Sequence, residues 1–239
     1  MKKHLFSFFI ISVLLCALFT IPLNSAAQCS KSGFSAGTAS APTCSNQSFN
    51  AGSGTYIRVA VTNGVHYTFT SGGPFNCDMT GYQGSTVRWH RNGAGGNGST
   101  TWTATFTGNL DIMMNRDNCQ GHDFTGQSAS LTYRKTAPTT ASAGANQTAC
   151  ASSATMGANN PSIGSGSWTS IPGGVSPSSS SSRTQAFSNL NAGNNTFTWT
   201  TNNGGCTSSD NIVIFNDNVN PIAVCQNKTV ILNASGSGS

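Results

Sequence analysis

The stretch from Asn194 to Ile214 constrains the fold most, because it alternates apolar and polar residues as a half-buried strand does. Phe197 and Trp199 fall on one face of this strand, and threonines occupy the other. A loop of Asn, Gly and Cys follows, and Ile212 begins a return strand. The stretch therefore predicts a β-hairpin with Trp199 in the core.

The composition extends this prediction to the whole chain. Only 7% of the 239 residues are charged and none is Glu, whereas an average soluble domain carries about 25% charge. Thr, Ser, Gly, Asn and Ala suit sheets and turns better than helices. The formal charge of +5 comes with no dense basic run, which argues against nucleic-acid binding. We expect an all-β chain of about two domains.

The N-terminal residues have the pattern of a secretory signal peptide. Lys2 and Lys3 precede an apolar run from Leu5 to Ile21, and Ser25 to Ala27 supply small residues for cleavage. A membrane anchor is the alternative. The polar sequence that follows favours cleavage after Ala27, so residues 1–27 are excluded from the fold. We expect a secreted or cell-surface protein with no membrane span after cleavage.

Export favours disulfides over metal sites for the cysteines. Six are predicted to be disulfide-bonded, namely Cys29, Cys44, Cys77, Cys119, Cys150 and Cys206. We pair the first two and the next two within the first domain, although four cysteines allow three connectivities. Cys150 and Cys206 bound the later segment and are predicted to staple it.

Residues 28–135 form the first predicted domain. Short alternating segments and turn signals about every ten residues are typical of an all-β sandwich. The run Gly64 to Phe69 followed by Cys77, and the run Thr101 to Gly108 followed by Cys119, resemble the N-terminal β-sandwich module of large secreted bacterial surface proteins.

Residues 136–217 form the second predicted domain, which opens with a linker over residues 136–143. Its motifs are Cys150, Gly-x-Gly-x-Trp168, Leu190-x-Ala-Gly and Phe197-x-Trp. They resemble the PKD-like, immunoglobulin-type repeat of secreted bacterial adhesins, although a Trp-x-Phe-Gly-Asp-Gly run is missing. The low-complexity run Ser176 to Ser182 is interpreted as a loop. The resemblance implies tandem immunoglobulin-like β-sandwich domains.

Residues 218–239 resemble the first strands of a hyalin-type repeat. Twenty-two residues cannot bury a core, so we expect a truncated third module, with the partner of Cys225 beyond residue 239.

Few residues are candidates for ligand binding. Tyr82, Trp89 and His90 lie near the glycine-rich segment 91–99, and loops on rigid sandwiches often carry binding residues. We predict an aromatic platform there; the alternative places Trp89 in the core.

Chemistry beyond binding has little support in the sequence. Gly33-x-Ser-x-Gly37 matches a nucleophile motif, but chance explains it in a chain rich in Gly and Ser. We predict no metal site and no cofactor, with one alternative: Asp210, Asp217 and the neighbouring Asn216 offer oxygen ligands for Ca²⁺ between domains.

These observations predict a non-enzymatic, adhesin-like protein whose β-sandwich modules act as binding units and spacers. The partner would be an extracellular glycan or protein. The alternative is the accessory carbohydrate-binding region of a secreted polysaccharide-degrading enzyme whose catalytic domain lies outside this chain.

Overall fold

The computed structural model describes residues 29, 31, 34–52, 54–73, 76–92, 98–116 and 128–217, and these contain no helix. The chain divides into two compact units, Met1–Thr136 and Ala137–Ser239. The all-β prediction is confirmed; the assignment of both domains to the immunoglobulin-like class stays a prediction. The predicted signal peptide and hyalin-type segment lie outside the described residues. No described helix is long and apolar enough to cross a membrane.

The described part of the first unit contains nine strands. They are β1 (Ser35–Thr38), β2 (Gln47–Gly52), β3 (Tyr56–Val61), β4 (His66–Gly72), β5 (Cys77–Gln83), β6 (Thr86–Arg91), β7 (Ser99–Thr103), β8 (Gly108–Arg116) and β9 (Ser128–Lys135). They form a five-stranded sheet in the order β1-β3-β8-β5-β6 and a four-stranded sheet in the order β2-β9-β4-β7. The edge strand β1 runs parallel to β3, and the other pairs are antiparallel.

The two sheets of the first unit share one apolar core, so the unit is a β-sandwich. Ile57 and Ile112 from the five-stranded sheet join Phe69 and Leu131 from the four-stranded sheet in this core. Val65, Tyr67 and Phe69 are all buried, as their alternation predicts. Burial of these alternating faces is the main source of the unit's stability.

Sequence patterns missed three strands of this unit, namely β1, β2 and β5. The strand β5 has the sequence Cys-Asp-Met-Thr-Gly-Tyr-Gln, and its first six residues are all buried. A strand that is covered on both faces shows no alternation, so period-2 reasoning passes over it. Cys77 is the first residue of this strand.

The described part of the second unit contains six strands. They are β10 (Gln147–Ala149), β11 (Ser153–Thr155), β12 (Ser165–Ser170), β13 (Ala186–Ser188), β14 (Gly193–Asn203) and β15 (Cys206–Asn216). Four form a sheet in the order β10-β15-β14-β12, and β11 pairs with β13 in a separate two-stranded sheet. A second apolar core contains Trp168, Phe187, Phe197 and Trp199.

The predicted hairpin is confirmed as β14 and β15. Eleven pairs run from Gly193 opposite Asn216 to Asn203 opposite Cys206. Gly204 and Gly205 form the turn with φ values of 59° and 96°, which is the left-handed geometry of a two-residue type I′ turn. Phe197 and Trp199 face the core, as predicted.

The predicted scheme of three bridges needs correction at Cys77 and Cys150, whereas the bonded state predicted for three other cysteines is confirmed. Cys29, Cys44 and Cys206 are in disulfides, but Cys77 and Cys150 are free. The predicted partner of Cys77, Cys119, lies outside the described residues. Cys77 points into the core between the sheets and is fully buried.

The register of the second sheet explains why Cys150 cannot bond to Cys206. Ala149 pairs with Asn216 at one end of β15, whereas Cys206 is the residue at the other end of that strand. Ten residues of extended chain span roughly 33 Å, and a disulfide needs Cα atoms within about 7 Å. The two cysteines bound the segment in sequence but lie at opposite ends of the sheet.

Candidate functional site

A pocket of about 390 Å³ with both polar and apolar lining groups opens on the second unit, within the usual range for small-ligand sites. We call it the Arg183 pocket. It is lined by Asn160 and Pro161, by Gly164 to Gly166, by Ser181 and Arg183, and by Trp199.

The first wall, Asn160 and Pro161, is positioned by the preceding residue. The Asn159 side-chain oxygen accepts hydrogen bonds from the Ser142 backbone N–H at 3.0 Å and from the Trp199 indole N–H at 3.1 Å. Its amide nitrogen donates to the Thr140 carbonyl at 2.9 Å. None of these bonds uses the Asn160 side chain, so Asn159 fixes the backbone and leaves the amide of its neighbour available to a ligand.

In the second wall, Gly164 to Gly166, the backbone passes close to strand β14 of the hairpin. Gly164 has a φ of +85°, and a side chain there would collide with the Asn202 carbonyl. A side chain at Gly166 would collide with the Trp199 ring. Glycine is therefore required at both positions, and its absence of a side chain leaves room for the pocket.

The third wall is the serine-rich loop, which is indeed irregular but is held at several points. The Trp168 backbone N–H donates to the Ser180 carbonyl at 2.8 Å, and its indole N–H donates to the Ser182 carbonyl at 3.1 Å. The Arg183 carbonyl accepts from the Ala158 N–H at 3.1 Å. On the loop itself these bonds use backbone groups only, and the side chains of Ser181 and Arg183 remain exposed.

Four polar side chains of the pocket have no hydrogen-bond partner among the described residues: Asn160, Ser165, Ser181 and Arg183. Together they offer an amide, two hydroxyls and a guanidinium. The lining contains no carboxylate, imidazole or thiol. The pocket can thus hydrogen-bond a polar ligand but holds no pair of residues for acid–base catalysis.

The aromatic platform predicted in the first unit is not formed. Tyr82 is buried. Trp89 packs against the core and stacks on Phe69, with ring centroids 5.3 Å apart, which is the alternative stated for it above. His90 lies on the other face of β6, where its Nδ1 is 2.8 Å from the Thr80 hydroxyl. Adjacent residues of a strand point to opposite faces, so Trp89 and His90 cannot share a surface.

A charged cluster of the first unit surrounds Asp111. Its carboxylate accepts hydrogen bonds from Lys31 Nζ at 2.6 Å and from Arg58 Nε at 2.8 Å. Both cations also lie over the Tyr56 ring. Burial raises the pKa of Asp111, but the bonds from Arg58 and Lys31 outweigh it and leave that pKa below its usual value. Both carboxylate oxygens are occupied, so the cluster is structural.

The calcium ligands predicted at Asp210 and Asp217 do not converge. Asp210 lies within β15 and accepts a hydrogen bond from the Ala143 N–H at 2.7 Å, whereas Asp217 follows the end of that strand. Seven residues of strand separate them by roughly 23 Å. Across the described residues, no group of three or more His, Cys, Asp or Glu side chains could hold a metal.

Residues 46–138 match a family described as a domain of unknown function, DUF8695. The matched segment lies almost wholly in the first unit and covers less than half of the chain, so it does not place the whole chain in that family. No curated protein matches the sequence.

Solved structures show only weak likeness. A periplasmic inhibitor of g-type lysozyme from Aeromonas hydrophila is 12% identical, over 41% of this chain and 98% of its own, with a TM-score of 0.28. Fibronectin(III)-like modules of Clostridium thermocellum CbhA are 14% identical, over 78% and 92% of the two chains, with a TM-score of 0.27. These scores are too low to support an inference about fold or function.

Sequence reasoning did not find the Arg183 pocket, although one signal was present. Arg183 is the only Lys, Arg or His residue between Lys135 and Lys228. It follows directly on the serine run that was interpreted as a loop. A single cation in a long segment with no other basic residue was the available signal, but only the tertiary fold shows that Arg183 and Asn160 line the same pocket.

Proposed function

We propose that this chain is a secreted or cell-surface, adhesin-like protein whose β-sandwich units bind an extracellular glycan without catalysing a reaction. The Arg183 pocket carries the proposal, because it combines free amide and hydroxyl groups with a volume suited to a small polar ligand. The ligand contact is thus assigned to the second unit rather than to the first.

A sugar fits the chemistry of this pocket better than an apolar ligand does. Sugar hydroxyls both donate and accept hydrogen bonds, as do the hydroxyls of Ser165 and Ser181 and the amide of Asn160. The three walls are held by hydrogen bonds that do not involve these side chains. The site is therefore organised before the ligand arrives, which reduces the entropic cost of binding.

The bonded cysteines support an extracellular or periplasmic location. Cys29, Cys44 and Cys206 are in disulfides, and disulfides persist mainly in oxidising compartments. An adhesin and an accessory region of a polysaccharide-degrading enzyme share this setting and this kind of pocket. The rest of the reading frame separates the two, since a catalytic domain would favour the accessory region.

A glycan array probed with the full chain tests the proposal. We expect binding to at least one glycan class, and we expect Ser181→Trp to abolish it by filling the pocket. Ser178→Trp is the matched control, because it lies in the same exposed loop but outside the pocket lining. An array without any bound glycan would overturn the proposal, as would equal loss of binding in both variants.

A further inference from the structure

The charge of the Arg183 pocket is unbalanced. Arg183 is its only charged residue, and its guanidinium has no ion-pair partner in the described part of the chain. The two acidic residues of the second unit, Asp210 and Asp217, are absent from the lining. An unpaired cation in a concave site attracts an anion, because nothing in the site neutralises it.

We propose that the Arg183 pocket binds a carboxylate-bearing sugar unit, such as a hexuronic acid of an acidic polysaccharide. Arg183 binds the sugar carboxylate, and Asn160, Ser165 and Ser181 bind the ring hydroxyls. This assignment rests on the glycan-binding function proposed above and names the class of glycan.

A single guanidinium matches a carboxylate in both geometry and charge. The planar group donates two parallel hydrogen bonds to the two oxygens of a carboxylate, and such pairs are stronger than neutral hydrogen bonds. One guanidinium balances the single charge of one carboxylate. A phosphate group carries a larger charge, and the pocket has no second cation or helix N-terminus to match it.

The rest of the lining explains why the ligand is a sugar acid rather than a simple carboxylate. Ser181 lies on the same wall as Arg183, and Asn160 and Ser165 lie on the other two walls. A ring that carries hydroxyls on several carbons can contact all three walls while its carboxylate reaches Arg183. Small anions such as acetate would contact only one wall.

Uronic-acid oligosaccharides and their carboxyl-reduced counterparts provide the test. Isothermal titration of the full chain would use oligogalacturonate, oligoglucuronate and alginate oligomers, each beside the same oligomer with its carboxylates reduced to alcohols. We expect at least one acidic oligomer to bind about tenfold or more tightly than its reduced form. Raised salt should narrow this difference.

Variants of the pocket identify the group responsible. Arg183→Gln should weaken binding of the acidic oligomer by about tenfold to a hundredfold while leaving the reduced oligomer unaffected. Arg183→Lys should recover only part of the loss, because lysine cannot form the paired bonds. Arg134→Gln in the first unit makes the same change in net charge and should have no effect.

The outcomes separate this inference from the function on which it rests. Binding of neutral or sulfated glycans alone would overturn the carboxylate assignment and leave glycan binding in place. Acidic-glycan binding that survives Arg183→Gln would also overturn it. Failure to bind any glycan would overturn both proposals.

Discussion

Each unit of this protein contains a glycine that lies against a tryptophan of the neighbouring strand. In the first unit Gly81 of β5 is paired with Trp89 of β6. In the second unit Gly166 of β12 lies against Trp199 of β14. In both places an added Cβ would fall inside the indole ring's van der Waals surface. A strand glycine here makes room for a large ring on the adjacent strand.

The two tryptophans differ in their polar end. The Trp199 indole N–H donates to the Asn159 side chain at 3.1 Å, and the ring borders the Arg183 pocket. The Trp89 indole nitrogen is buried with no hydrogen-bond partner in the described part of the chain. The second unit therefore uses its tryptophan to fix a binding-site wall as well as to fill the core, whereas Trp89 contributes packing alone.

Gly166→Ala should have the largest effect of the substitutions that test this glycine–tryptophan contact. Trp199 is fully buried and packs on Trp168, so a shift of its ring would disturb the core of the second unit. We expect a loss of about 3 kcal/mol in the free energy of unfolding, the upper part of the range for overpacking. Hydrogen exchange at the amides of β14, in the full chain, would locate the loss in the second unit. Gly157→Ala is the control, since nothing lies within 4 Å of its added Cβ.

Gly81→Ala should have a smaller effect, of about 2 kcal/mol. Trp89 is only partly buried against its core, so its ring can shift more easily than that of Trp199. Urea denaturation would measure the change, and exchange at the amides of β5 would locate it. A loss no greater than that of Gly52→Ala, where the added Cβ meets nothing, would show that the ring moves freely.

The same comparison predicts coupling between Gly81 and Trp89. The smaller ring of Trp89→Phe should accommodate an alanine at position 81, so the double variant should be more stable than the sum of the single losses by about 1 kcal/mol. A double-mutant cycle from urea denaturation measures this difference. Strict additivity would mean that the alanine strains the backbone rather than the indole.

Removing the indole nitrogen should destabilise the second unit more than the first. Trp199→Phe loses a hydrogen bond to Asn159 that Trp89→Phe does not lose. We therefore expect Trp199→Phe to be the more costly substitution by about 1 kcal/mol. Equal losses in urea denaturation would indicate that the Asn159 bond adds nothing to the packing of the ring.

Structural features that are set by residues close in sequence were predicted correctly. The alternation of apolar and polar residues predicted the hairpin and the inward face of Trp199, because both follow from period-2 geometry. The turn at Gly204 and Gly205 follows from the same logic. These features need no knowledge of which strands are adjacent.

Features that depend on strand order were not predictable in this way. The prediction of an aromatic platform was wrong because Trp89 faces inward over Gly81. This contact is set by the register between β5 and β6. The prediction of a Cys150–Cys206 disulfide was wrong because β10 pairs with the end of β15 that lies away from Cys206. The Arg183 pocket combines three segments that are brought together only by the tertiary fold, and the sequence contained no more than a lone cation to indicate it.

The two units also differ in the exposure of their free cysteines, Cys77 and Cys150. Burial raises the pKa of the Cys77 thiol to about 11; a hydrogen bond with Ser71 opposes this rise, and the charge of Asp78 adds to it. Cys150 is exposed. Only the thiolate form of a cysteine reacts with alkylating agents. With a pKa of about 11, roughly one Cys77 thiol in a thousand is ionised at pH 8.

We therefore expect iodoacetamide at pH 8 to label Cys150 in the native chain and to leave Cys77 unlabelled until the first unit unfolds. Peptide mapping of the labelled protein reports each site separately, and labelling in urea provides the fully reactive reference. Gly81→Ala, which strains the strand that begins at Cys77, should accelerate labelling at Cys77 but not at Cys150. Gly166→Ala should leave Cys77 protected. If Cys77 reacted as fast as Cys150 in the native chain, β5 would open without global unfolding, and the protection ascribed to the burial of Cys77 would be wrong.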